Sequence, residues 1–342
     1  MTKAALVRRA LLGVLLCGTI PAVAAPTVAV NPCSDAKNKM DDVYCIGDRR
    51  VAHRSFISTE KEVAIGAQYA KQINRSSKLV KDPVITEYVN RVEQNIAENS
   101  DVKIPITIRV IDSPQINAMT LPGGFIYVNT GLIRAAGSEA QLAAVLAHET
   151  AHVAARHWAS EMTRQSLLQY AMIPLIFTPM TYPVYIGLSE GLNFGIPMAF
   201  LKFSREDEAQ ADFLGLQYLW KAGYDPNAFL AMFGKILQQH RREPGSVPSI
   251  FMDHPPTGDR IIKCEEEIKN ILPQRSEYLV TDSEFQNVQA RLNTVLGRMK
   301  RAQSAENRPT LLKREPNPNQ PSQSGQTPDN DKPPVLRRRG SS

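Results

Sequence analysis

The amino-acid sequence predicts an α+β fold, mostly helical, with a small β-sheet or hairpin at the edge of its central helix. Three observations predict it. Capping signals precede several stretches whose apolar residues recur at helical spacing, residues 104–111 alternate as a strand does, and Pro122-Gly123-Gly124 separates two further strand-like runs.

The chain begins with Lys3, Arg8 and Arg9, an apolar run over 10–20, and the small residues Ala22-Val23-Ala24. This is the pattern of an export signal cleaved after Ala24, and the run is too short to stay in a bilayer as a span. Leu16 stands before Cys17 where a lipoprotein signal needs a small residue, which disfavours a lipid anchor. In an oxidising compartment Cys33 and Cys45 could close a short disulfide loop, leaving Cys264 as a buried thiol; pairings that use Cys264 stay open.

Thr59 with Glu62 opens a first helix, and Asp82-Pro83 a second, with Ile85, Tyr88, Val89, Val92 and Ile96 on its buried face. Ile104, Ile106, Ile108 and Val110 share one strand face, and 118–121 with 125–129 form a hairpin. Ser138 and Gln141 form a capping box for an Ala- and Leu-rich helix that carries Leu142, Val145, Leu146 and Val153. Uncharged residues 165–189, broken by Pro174, Pro179 and Pro183 and continuing past Pro197 to Phe203, make a poor membrane span because proline removes backbone hydrogen bonds that lipid cannot replace. They are expected to cover the central helix as a lid or plug, with contact to a membrane surface or a client as the alternative. Asp225-Pro226 opens a further helix, and one over 283–300 closes the fold.

The resulting organisation is a signal segment 1–24, an extension 25–54, one domain 55–300, and a disordered tail 301–342 too poor in apolar residues to fold. Charge follows the same division. The net +6 arises at the ends: three charges from Lys3, Arg8 and Arg9, and four from the tail's eight basic and four acidic side chains, leaving 25–300 at −1. That balance excludes a basic nucleic-acid-binding domain and leaves Arg337-Arg338-Arg339 as a solvated end that can touch anionic envelope surfaces.

The most informative stretch is His148-Glu149-Thr150-Ala151-His152. Histidines four apart on a helix point the same way and can grip one metal ion, while the intervening carboxylate can act as general base on water. A catalytic zinc site needs one more protein ligand. Glu208 is the best candidate by spacing, with Glu206, Asp207 and Asp212 as competitors; Glu208 and Asp212 share a helix face, so one could ligate while the other accepts from a ligand's outer ring nitrogen.

The HExxH helix, Ser204-Arg205 with Glu208, Ala211 and Asp212, and Asp253-His254-Pro255-Pro256 with Arg260 together resemble the gluzincin metallopeptidases related to HtpX and the CAAX prenyl proteases, and among them their periplasmic members. Similarity also lies in 62–66, in Asn117-Ala118 with 121–125, and in Gly223-Tyr224-Asp225-Pro226, so that it covers 55–300. The resemblance implies a zincin-like fold, Zn2+ as cofactor, Glu208 as third ligand, Asp212 and Arg260 as supporting residues, and Glu149 as catalytic base. For His254 three roles stand open: a latent fourth ligand, a donor to the oxyanion of the transition state, and a cap for the helix near Thr257. The expectation is a zinc endopeptidase of the periplasm that acts on extended polypeptides in misfolded or misassembled envelope proteins, with no nucleic-acid partner. Peripheral contact with a membrane or with outer-membrane assembly machinery is left open. The alternative is an exported chaperone-like binding factor whose zinc site is occluded or vestigial.

Overall fold

The computed structural model describes Cys33 and residues 39–176, 203–242 and 258–306. After a 3-10 turn at Val43–Cys45 come α1 (Thr59–Ser76), α2 (Pro83–Glu98), β1 (Thr107–Ile111), β2 (Ala118–Leu121), β3 (Phe125–Asn129), α3 (Thr130–Ala135), α4 (Glu139–Ala155) and α5 (His157–Ile176). Four more follow: α6 (Arg205–Lys221), α7 (Asn227–Arg242), α8 (Gly258–Asn270) and α9 (Asp282–Glu306).

The three strands form one sheet in the order β1-β3-β2, with β1 parallel to β3 and β2 antiparallel to it. The tight β2–β3 turn depends on Gly124 at φ 84°, where a Cβ would meet the Pro105 carbonyl at 2.6 Å. Residues 78–80 cover the outer edge of β1: the Val80 amide donates to Val110 O at 2.9 Å and the Asp112 amide to Lys78 O at 2.7 Å. Among the described residues the outer edge of β2 pairs with no strand.

Helix α4 is the axis of the core. Every residue from Leu142 to Ala155 is buried, as expected of a helix that is apolar on all sides and packed by α2, α6, α7 and β2. Its first residue, Glu139, is buried and accepts from the hydroxyls of Tyr88 on α2 and Tyr224 after α6, the latter at 2.8 Å. Burial raises the pKa of both phenols, so they remain donors. The buried face of α2 is the five residues expected, joined by Glu93.

The Cys33–Cys45 disulfide is present, with Cα atoms 4.9 Å apart, and Cys264 is a buried free thiol on α8. Beyond it, residues 47–53 strap onto the body. Arg49 donates from Nε and Nη2 to Asp101 at 3.0 and 2.7 Å, and Asp101 also accepts from the Gly47 amide and Tyr218. A buried carboxylate with this many donors ties the strap firmly.

Several expectations need correction. The strand begins at Thr107 rather than 104, since 104–106 lead in without ladder bonds. Ser58, not Thr59, caps α1 by accepting from the Lys61 amide, while Glu62 pairs with Arg156. Ser138 does accept from the Gln141 amide, but Gln141 Oε1 accepts from the Gly137 amide instead of closing the box on Ser138. The last helix runs six residues into the expected tail, to Glu306. Residues 177–202 of the expected lid, and His254, lie outside the described residues. No helix among the described residues is long and apolar enough to cross a membrane.

Candidate metal centre

His148 and His152, one turn apart on α4, face Glu208 near the start of α6. The two Nε2 atoms are 3.1 Å apart, His148 Nε2 lies 3.6 Å from Glu208 Oε2, and His152 Nε2 lies 3.6 Å from Glu208 Oε1. Ligands about 2.0 to 2.1 Å from a tetrahedral zinc are separated by roughly 3.4 Å, so these spacings fit one ion with a corner to spare. All three residues are buried, as a site that must exclude bulk water requires.

Local sequence explains how Glu208 gets there. Ser204 accepts from the Asp207 amide while Asp207 Oδ2 accepts from the Ser204 amide, a full capping box that fixes the start of α6. Asp207 is thereby committed, and Arg164 binds its Oδ2 at 2.6 Å as well. Glu206 is exposed. Asp212 stands behind His148, its Oδ1 3.1 Å from Nδ1. Of the four acids weighed from the sequence, only Glu208 is placed with both imidazoles.

Gly215 lies one further turn along the same face of α6. A Cβ there would come within 3.1 Å of the His148 backbone N and Cα, so glycine permits the close approach that sets Glu208 against the histidines.

Arg260 on α8 reaches the back of this group. Its Nε and Nη2 donate to the two Asp212 oxygens at 2.6 and 2.7 Å, and Nη1 lies 3.0 Å from Glu208 Oε2. Burial would raise the Asp212 pKa, but the Arg260 and His148 hydrogen bonds outweigh it and hold the carboxyl below its usual range. Burial likewise opposes the Arg260 charge, and Asp212 and Glu208 more than restore it.

Glu149 is fully buried, and the Thr120 hydroxyl on β2 donates to its Oε2 at 2.6 Å. The next residue, Thr150, donates at 2.6 Å to Glu93, whose pKa burial pushes up to about 8. His157, the first residue of α5, sits behind His152 with the two Nδ1 atoms 2.9 Å apart and its Nε2 2.9 Å from Gln210 Oε1. Burial pushes His157 down to about 4, so it is neutral at pH 7.

Thr120, Glu93, His157 and Gln210 were not found from the sequence. Only His157 left a signal there, as one of six histidines standing five residues past His152. On an unbroken helix that spacing points elsewhere, and the break that turns it back occurs at Arg156, a residue with no turn signature.

A buried two-histidine, one-glutamate set on an HExxH helix defines the gluzincin class of metallopeptidase site. The model of peptidase family M48 matches residues 83–268, more than half the sequence, and the chain belongs to that family. It is 28% identical over 239 residues to the beta-barrel assembly-enhancing protease of Escherichia coli strain K12, covering 68% of this chain and 49% of that protein. The protein of that name from Yersinia pestis is 30% identical over 224 residues, 64% of this chain and 46% of its own. Mitochondrial metalloendopeptidase OMA1 of Schizosaccharomyces pombe is 35% identical over 184 residues, 53% of this chain and 52% of its own. The chain spans about half the length of the curated relatives it matches.

Proposed function

We propose that the chain is a zinc-dependent endopeptidase with His148, His152 and Glu208 as ligands and Glu149 as general base. The observation that carries this reading is the convergence of three buried donor atoms at tetrahedral spacing beside Glu149. A bound zinc would supply a Lewis acid and bring the acidity of water towards pH 7. Glu149 takes the proton of the attacking water and passes it to the leaving amine. Thr120 fixes the rotamer of that carboxylate through Oε2. Asp212, clamped by Arg260, orients His148 through its outer nitrogen.

Substrate enters as an extended peptide. The outer edge of β2, the strand that carries Thr120, offers backbone hydrogen bonds that align a polypeptide while asking little of its sequence. The relatives named for β-barrel assembly enhancement, the signal-like residues 1–24 and the Cys33–Cys45 bridge support action in the periplasm on misfolded or misassembled envelope proteins. In this reading 25–54 are an extension, 55–300 the catalytic domain and 301–342 a tail. For His254 three roles are separated by His254→Ala: higher turnover marks a gate on the metal, a sharp loss marks help to the oxyanion, and no change marks a cap for the helix near Thr257. Nothing in the geometry favours a chaperone-like factor with a vestigial site.

The test is casein cleavage by the mature protein alongside metal analysis. One zinc per chain, loss of cleavage with a chelator and return with zinc are expected. Cleavage untouched by complete metal removal would overturn the proposal.

A further inference from the structure

Helix α4 ends at Arg156 in the left-handed region, φ 55° and ψ 40°, a conformation usually left to glycine. The strain is held from outside: Arg156 Nε donates to Glu62 of α1 at 2.8 Å and Nη2 to the Ile57 carbonyl at 2.7 Å. Because the helix breaks there, His157 at the start of α5 sets its ring against His152, with no solvent exposure.

The donor and acceptor roles in this contact have one consistent solution. Gln210 Nε2 donates to the Val51 carbonyl at 3.3 Å, which turns the amide oxygen towards the histidines. That oxygen can only accept, so His157 Nε2, 2.9 Å away, carries a proton. With His152 ligating through Nε2, its Nδ1 carries the proton and donates across 2.9 Å to the lone pair on His157 Nδ1. His152 is left with its lone pair on Nε2, the atom that faces His148 and Glu208.

We infer that His157 is a positioning residue that fixes the tautomer and ring angle of His152, with Gln210 and the Val51 strap as its anchor. The inference rests on His152 being a ligand. The two imidazoles therefore have different supports: His148 leans on the anionic Asp212, held by Arg260, and His152 on a neutral ring held by an amide.

His53, His157 and Asp207 also bring donor atoms within 4.8 Å of one another. We assign them to this hydrogen-bonded support rather than to a second ion. Arg164 shares Asp207 at 2.6 Å, and the Gln210 oxygen already occupies the space between the rings, accepting from both.

Zinc affinity of the mature protein, measured by competition with a chromophoric chelator, tests the assignment with two variants. His157→Phe keeps ring volume and loses both nitrogens, whereas His157→Asn keeps an acceptor near the Nδ1 position. The Phe variant should bind zinc about 10- to 100-fold more weakly, the usual effect of removing a ligand's hydrogen-bond partner, and the Asn variant within about threefold of wild type. Wild-type affinity in the Phe variant, or equal losses in both, would overturn the inference. Should the Phe variant fail to fold, Gln210→Met probes the anchor alone, and undiminished zinc affinity there would overturn it as well. Long-range 1H–15N spectra of histidine-labelled wild type should show Nδ1–H on His152 and Nε2–H on His157; the opposite tautomers would overturn it. So would a second zinc equivalent abolished by His53→Ala. Wild type that binds no zinc would instead sink the ligand assignment beneath it.

Discussion

Glu93→Gln turns a feature of the α2–α4 interface into a pH-dependent stability difference. The side chain is fully buried, with Oε1 accepting from Thr150 at 2.6 Å and Oε2 without a hydrogen bond among the described residues. Burial is the main cause of its pKa of about 8; the Glu149 charge adds to it and the Thr150 bond opposes it. The unfolded carboxyl titrates near its ordinary 4.5, so between about pH 4.5 and 8 the folded chain keeps a proton that the unfolded chain has released. Stability therefore falls as pH rises through this window, by about 1.4 kcal/mol per unit and about 5 kcal/mol in all. Glutamine keeps the acceptor and cannot ionise. Its extra N–H adds a penalty that does not change with pH, so the readout is the slope. Urea unfolding of wild type and variant at pH 5, 6, 7 and 8 should give a difference that moves in the variant's favour by about 3 kcal/mol across the series. A difference constant across that range would refute the reasoning.

Further outcomes follow from other contacts. Gly215→Ala gains about 1 kcal/mol of helix propensity and loses a similar amount to the 3.1 Å approach on His148, so stability should change little while zinc affinity, measured by chelator competition, falls about tenfold. Thr120→Val removes the hydroxyl that donates to Glu149 Oε2 and should lower kcat about tenfold with zinc content unchanged, as read from steady-state kinetics and metal analysis. Arg260→Met leaves Glu208 and Asp212 buried without their cation, and calorimetry of the metal-free protein should show a loss of about 3 kcal/mol. Reducing Cys33–Cys45, twelve residues apart, should cost about 3 kcal/mol in denaturant titrations with and without reductant.

Much of the site was legible because its chemistry is encoded at short range. The i, i+4 spacing of His148 and His152 and the turn glycines at 123 and 124 each express a local rule and are found where they were expected, whereas the capping box at Ser204 was equally local and was not read. The choice of Glu208 over Asp207 was not a local matter. It turns on which carboxylate the cap and Arg164 consume, and Arg164 lies forty-three residues away. Thr120, Gln210 and His157 were illegible for a related reason: nothing in a strand threonine or a helix glutamine announces the buried partner that tertiary packing supplies. The parallel pairing of β1 with β3 was hidden too, because alternation reports which faces are buried and not which neighbour lies alongside.

The most direct measurement is zinc content and peptidase activity of Glu149→Gln, prepared beside wild type. If His148, His152 and Glu208 hold the metal and Glu149 moves the proton, the variant keeps one zinc per chain and its casein cleavage falls to background. Cleavage at the wild-type rate by the zinc-loaded variant would contradict the assignment of the base. A folded wild type that binds no zinc would contradict the site itself.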